Sequence, residues 1–312
     1  MTAFATPEDI ARRTTAAKDA AVAAGRDLGL TITEPKVLYE LFSVVVHLAP
    51  SPVVARVPVV LPHTEDLDAT TARQQRELDV ARWLANQGTP VIPPADDVSA
   101  KPVQRDGFSI TFWPFVEEDR SGEPDYVANS EKAAELHAAL KDYPGELQFL
   151  GTAEPQFITE SFRILEKHPD LLDPADRERA EREWAQLEPA VREQAEFEKR
   201  FPGIALQPIH GDCPPANIFA STNGPLFSDF ELITYGPVEW DLASLGPDLE
   251  AAYNRGARAN NTRELDDKVL EFVNAVAAVR AIAYLSVTPQ LPQIAEFMKP
   301  LIDTWRARPT PA

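Results

Sequence analysis

The stretch His210-Gly211-Asp212-Cys213-Pro214-Pro215-Ala216-Asn217, followed by Ser228-Asp229-Phe230-Glu231, constrains this chain more than any other feature. Between the two lie apolar runs at Ile218-Phe219-Ala220 and Leu226-Phe227-Ser228, and they flank Ser221-Thr222-Asn223-Gly224-Pro225. Asn-Gly between two apolar runs predicts a tight hairpin. Such a ribbon sets Asn217 almost opposite Asp229. Pro214 and Pro215 fix φ and stiffen the loop that carries the Asn217 amide back toward Asp212. A carboxylate, an amide and a second carboxylate are thereby drawn to one end of a short ribbon.

That set suits phosphoryl transfer from a magnesium-bound nucleotide, which asks the protein for little covalent work. One carboxylate must orient the attacking hydroxyl and take its proton, and oxygen ligands must hold magnesium on the phosphates. Asp212 fits the first task, and Asn217 and Asp229 the second. His210 reads as a structural histidine that braces the Asp212 loop. Cys213 has no cysteine partner in the chain and reads as packing beside Asp212.

At these residues the sequence resembles the aminoglycoside phosphotransferase family, small-molecule kinases with a protein-kinase-like fold. The resemblance rests on His210-Gly211-Asp212, Asn217, Asp229-Phe230-Glu231 and Gly236-Pro237 with Trp240-Asp241-Leu242-Ala243. Pro214 and Ala216 stand where the family often has histidine and glycine. The resemblance implies an α+β bilobal fold, with a small antiparallel-sheet N-terminal lobe and a mostly helical C-terminal lobe. It implies that Asp212 is the catalytic base, that Asn217 and Asp229 bind Mg2+, and that Asp241 props the catalytic segment from behind. The cosubstrate would be ATP or GTP and the acceptor a hydroxyl of a small molecule.

Residues 37–48 and 53–57 are rich in β-branched side chains and predict an antiparallel pair. In the kinase-like fold the second strand carries a cation for the α- and β-phosphates; here that is Arg56, with Glu77 as its partner in a helix over 72–85. Arginine replaces lysine, and a guanidinium still grips phosphate bidentately. No glycine lies between Glu40 and Val46, so a glycine-rich phosphate loop is missing and Ser43 is left as a hydroxyl donor. The apolar strand from Gly107 ends at Trp113-Pro114-Phe115-Val116, and Trp113, Phe115 and Val116 are the candidates for contact with the nucleotide base. The lobes are drawn as 1–115 for nucleotide binding and 116–312 for catalysis and substrate, with a charged helical insert of one or two helices around 155–200.

Composition sets outer limits. A net charge of -19 opposes nucleic-acid binding. Asp248 and Glu250, with Glu117, Glu118 and Asp119, are candidates for attracting a cationic substrate, though such clusters are commonly solvated faces. The most apolar helix, 269–287, is interrupted by Glu271, Asn274 and Arg280 and reads as a core helix, so no membrane association is expected. A start without signal-peptide character and a single cysteine point to the cytoplasm. Residues 306–312 read as a frayed tail. A kinase-like ligand-binding protein that has lost efficient nucleotide use is the alternative reading, suggested by the missing glycine loop. A metal-dependent phosphoesterase built on His210, Asp212, Asp229 and Asp241 finds no ligand spacing among the other histidines. Nothing in the sequence specifies an oligomeric state.

Overall fold

The computed structural model describes residues 4–151 and 155–308, and the chain divides into two compact units. The first runs up to Glu123 and takes in Ile218–Glu231; the second comprises Pro124–Asn217 and the chain from Leu232 onward.

The first unit opens with helix α1, Pro7–Asp27. Thr6 and Asp9 form a reciprocal capping box at its start, and Pro7 occupies the first turn, where its missing N–H costs nothing. Strands β1 (Lys36–Glu40), β2 (Ser43–His47) and β3 (Val53–Pro58), helix α2 (Leu67–Asn86), and strands β4 (Val103–Arg105) and β5 (Phe108–Pro114) follow. The strands form an antiparallel sheet in the order β1-β2-β3-β5-β4. Strand alternation sorts its side chains. Val44, Val46, Ala55, Val57, Ile110 and Phe112 form one buried core with Ala17, Ala20, Ala21 and Ala24 of α1, whose spacing places them on one helix face. Val45, Val54, Arg56 and Trp113 line a cavity instead.

The apolar run 37–48 was expected as a single strand, but it forms two. It reverses at Leu41-Phe42, where the Leu41 N–H donates to the Ser43 carbonyl at 3.2 Å and the Phe42 carbonyl accepts from Val59 and Val60 at 2.8 and 3.0 Å. Tertiary hydrogen bonds hold this turn in the absence of any turn-forming residue.

The second unit contains α3 (Tyr126–Leu140), α4 (Pro155–Leu165), α5 (Pro174–Arg192), α6 (Gln194–Arg200), β6 (Gln207–Ile209), β9 (Thr234–Gly236), α7 (Pro247–Ala259), α8 (Asp267–Ala283) and α9 (Ile294–Ala307); the hairpin strands β7 (Ile218–Ser221) and β8 (Gly224–Phe227) belong to the first unit. The insert is thus three helices, not one or two. Asp173 caps the start of α5 and Pro174 sits in its first turn, so the preceding helix cannot run through. Helices α3 and α7 lie so close that a Cβ on Gly256 would stand 2.3 Å from the Glu131 carbonyl oxygen, which requires glycine there. By length and composition Asp267–Val287 does reach what a membrane span needs, with mean hydropathy 1.5, contrary to the expectation from its polar interruptions. Sixty-seven per cent of that window is buried within the protein, and α8 packs against α4, α5 and α9. Helix α9 includes Arg306, so the expected tail is helical at its start; 309–312 lie outside the described residues.

Candidate active site

In the first unit, strands β7 (Ile218–Ser221) and β8 (Gly224–Phe227) form the hairpin expected at Asn223-Gly224. Ile218 pairs with Phe227 and Ser221 with Gly224, and Gly224 has φ +113, a conformation that disfavours other residues. The ribbon is tied down on both sides. Phe227 exchanges hydrogen bonds with Pro90 and Ile92, while Thr222 donates to the Glu117 carbonyl and Asp119 donates to that of Ala220. The chain leaving β8 enters Asp229 with φ +64, a left-handed conformation held by the ordered segments around it.

Asp229 lies in a charged cluster. Arg56 on central strand β3 places Nη1 2.8 Å from Glu77 Oε1, and Nη2 2.9 Å from both Asp229 Oδ1 and Glu231 Oε2. Arg73 of α2 lies 3.1 Å from Glu65 and 3.6 Å from Glu231. The helix frame explains the set: Thr70, Arg73, Gln74 and Glu77 are buried on one face of α2, at three- and four-residue spacing. Burial opposes the charge of Arg56, but the carboxylates of Asp229, Glu231 and Glu77 outweigh it and raise the pKa. Glu77 is pushed up to about 8, mainly by burial and further by Asp229 and Glu231, with Arg56 pulling the other way. Of the carboxylates around Arg56, Glu77 is the most buried, and its Oε2 lacks a hydrogen-bond partner.

The cavity of about 640 Å3 has Arg56, Glu77 and Asp229 in its wall. Trp113, Phe115 and Val116 also line it, as do Ile92, Phe219 and Phe230. Phe115 stacks on His47 at 4.0 Å with 11° between rings, and its N–H donates to the Pro52 carbonyl, so the segment after β5 is fixed. Ser43 is buried, pairs with Pro58, and is not among the residues lining the cavity. Two contributors the sequence did not single out, Tyr39 and Glu231, belong here; the Asp-Phe-Glu triplet carried the signal for Glu231.

In the second unit the paired strands β6 and β9 carry the other part of the motif, Ile209 opposite Thr234. Beyond β6, Gly211 has φ +87 and lets the chain turn so that the N–H groups of His210 and Gly211 both donate to the buried Asp241 carboxylate, each at 2.8 Å. His137 Nε2 approaches the same carboxylate at 2.8 Å while its Nδ1 meets the Tyr253 hydroxyl at 2.8 Å. Asp241, backed by His137, thus braces the Asp212 loop, and the main-chain N–H of His210 is one of its donors. Glu239, fully buried, fixes the following turn through Arg263 at 2.5 and 2.7 Å.

Asp212 itself is exposed, and its Oδ2 accepts from Asn217 Nδ2 at 3.2 Å. The same nitrogen lies 3.2 Å from the Cys213 carbonyl, which turns the amide oxygen of Asn217 away from Asp212. Pro214–Ala216 form a 3-10 turn, held by a bond from Asn129 to the Pro215 carbonyl at 2.9 Å. Burial pushes the Cys213 thiol up to about 12, so it stays protonated and is no nucleophile at neutral pH. Asp248 is exposed and Glu250 half-buried in the first turn of α7; burial and the charge of Asp267 raise the Glu250 pKa.

The five-stranded antiparallel sheet and the helical second unit define a kinase-like fold. The chain matches the model of the phosphotransferase enzyme family (APH) over residues 44–279, and it belongs to that family, whose members move phosphate to hydroxyl groups of small molecules. Solved structures give the same fold. The GDP complex of aminoglycoside 2'-phosphotransferase-IIIa is 14% identical, with 96% of this chain and 99% of that one covered at a TM-score of 0.62. An amicoumacin kinase with AMP-PNP, Ca2+ and Ami is 14% identical, with 96% of each chain covered and a TM-score of 0.58. A choline kinase from Streptococcus pneumoniae is 12% identical, covering 92% of this chain and 98% of that one at 0.56. Comparison with curated protein sequences returns no match.

Proposed function

We propose that the protein transfers the γ-phosphoryl group of a magnesium-bound ATP or GTP to a hydroxyl of a small molecule. The observation that carries the reading is the cavity wall that combines a buried cation, Arg56, and a carboxylate, Asp229, with the aromatic segment from Trp113 to Val116. In this reading the base lies against that segment and the phosphates against Arg56, whose position Glu77 fixes. Relatives of the same fold were solved with GDP, AMP-PNP or ADP, which supports nucleotide use without selecting the base.

The donor chemistry fits magnesium. Among the described residues no group of three or more His, Cys, Asp or Glu could hold a metal by itself. Magnesium does not need one, since it is commonly bound by one or two protein oxygens together with phosphates and water. Asp229 suits this: its side chain is 39% exposed, and Oδ1, although 2.9 Å from Arg56, lacks a hydrogen bond of good direction. Asn217 would supply its amide oxygen. When bound, the metal neutralises charge on the phosphates. Asp212 orients the acceptor hydroxyl and takes its proton as the new P–O bond forms and the bond from the γ-phosphorus to the leaving nucleoside diphosphate breaks, while Asp241 and His210 hold the Asp212 loop. Asp248 and Glu250 would meet a cationic acceptor. A small-molecule kinase of this kind, with one cysteine, suits the cytoplasm, with nucleic acid and membrane outside its partners.

The two-residue turn between β1 and β2, with its Leu41 N–H already bonded, favours the second reading of a ligand-binding relative with weak nucleotide use. An acceptor screen over amino alcohols, sugars and aminoglycosides, following nucleotide turnover, separates the two. Asp212→Ala is expected to abolish any transfer found, with at least about a hundredfold loss, while leaving the melting temperature unchanged. Full transfer by that variant would remove Asp212 from the role of base.

A further inference from the structure

Where a glycine-rich loop is present, backbone amides approach nucleotide phosphates closely because no side chain intervenes. This chain has instead the turn at Leu41-Phe42, with no glycine and with its Leu41 N–H and Phe42 carbonyl engaged within the protein. The Leu41 N–H is thereby taken, so a donor to stand beside Arg56 at the phosphates is sought outside the turn.

Strand β1 supplies one through an irregularity. Its register against β2 runs Val37 to Val46 and then Tyr39 to Val45, so one extra residue, Leu38, is inserted. Even alternation would have set Tyr39 opposite Val44, whose side chain is buried in the core beneath α1. The bulge re-aims it, which is a common use of such insertions. Val45 in turn pairs with Arg56. Tyr39, Val45 and Arg56 thus form one row across three strands, and all three line the cavity. The ends of the row are two strand spacings apart, about 10 Å, a span that the two long side chains can close upon a common anion. Val54 and Trp113, which also face the cavity, pair in a different row of the sheet. Tyr39 is 54% exposed and open to a ligand, and partial burial and the charge of Asp229 raise its pKa, so the hydroxyl stays a donor.

We propose that Tyr39 donates a hydrogen bond from its hydroxyl to a phosphate oxygen of the bound nucleotide, taking the place of glycine-loop amides. The inference rests on the nucleotide reading above and adds a binding residue to it. It makes the bulge in β1 the element that compensates for the missing loop.

The test compares wild type, Tyr39→Phe and Tyr39→Leu in titrations with magnesium and non-hydrolysable ATP and GTP analogues, and with adenosine and guanosine. Tyr39→Phe keeps the ring and is expected to weaken the better triphosphate about tenfold while leaving the matching nucleoside unchanged. Tyr39→Leu should weaken the triphosphate at least as much. Equal triphosphate affinity in wild type and Tyr39→Phe overturns the role of Tyr39 while leaving the nucleotide reading in place. Equal losses for triphosphate and nucleoside also overturn it, because the ring would then serve the base or the fold. Wild-type protein that binds no nucleotide overturns the nucleotide reading, and this proposal with it.

Discussion

Arg56 is the residue on which the first unit's chemistry turns. Lysine would offer a compact point charge, whereas the planar guanidinium reaches Glu77 from one nitrogen and Asp229 and Glu231 from another. Three carboxylates at one position give a reason for arginine there. The burial of Glu77 among them also makes a pH prediction. The folded pKa of Glu77, about 8, lies above the ordinary 4.5, so between those values the folded protein holds a proton that the unfolded chain releases. Stability from this group is therefore fully present below about pH 4.5 and lost as pH rises through about 8, with a slope of at most about 1.4 kcal/mol per pH unit. Denaturant unfolding of the ligand-free protein across that window should show the loss, and Glu77→Gln should flatten it. An unchanged slope in the variant would mean that Glu77 is ionised throughout. At this scale the pair Arg56 and Glu77 was legible through the resemblance to the kinase-like fold, whose strand cation and helix glutamate they match. The sequence did not disclose Tyr39, because a bulge reverses the facing that alternation predicts.

The elements that carry the motif are small, and other parts of the protein hold them. Asp241 accepts two main-chain N–H groups of the Asp212 loop in a buried setting. Asp241→Ala would leave both donors without an acceptor at about 1–3 kcal/mol each, so a loss of roughly 2–6 kcal/mol in unfolding free energy is expected. Amide hydrogen exchange at Gly211 should accelerate in the same variant. Stability within a few tenths of wild type would show that water or another group serves these amides. The hairpin at Asn223-Gly224 was legible because its turn chemistry is local. The turn at Leu41-Phe42 was not, since two apolar residues reverse there only because Val59 and Val60 donate to the Phe42 carbonyl. Helix α5 was recoverable in hindsight from Asp173-Pro174, a start signal within a run of charged helix formers.

At the scale of the whole molecule the motif divides between two compact units. Arg56, Glu77, Asp229 and the aromatic segment fall in the first, and His210, Asp212, Asn217 and Asp241 in the second. Sequence order hides this division, because the hairpin and Asp229 return to the first unit after some ninety residues of the second, Pro124–Asn217. The family was legible through the resemblance that His210-Gly211-Asp212, Asn217 and Asp229-Phe230-Glu231 carry. The acceptor was not, for it is selected by side chains outside that motif, on a fold that relatives use for aminoglycosides, amicoumacin and choline. The central claim is that the first unit binds a magnesium nucleotide through Asp229, and a ligand that binds only the folded state raises its melting temperature by mass action. The measurement is thermal unfolding with Mg-ATP, with Mg-GTP and without nucleotide, in wild type and Asp229→Ala. The account predicts a magnesium-dependent rise with at least one nucleotide that is lost in Asp229→Ala, and no rise in the wild type with either nucleotide would contradict it.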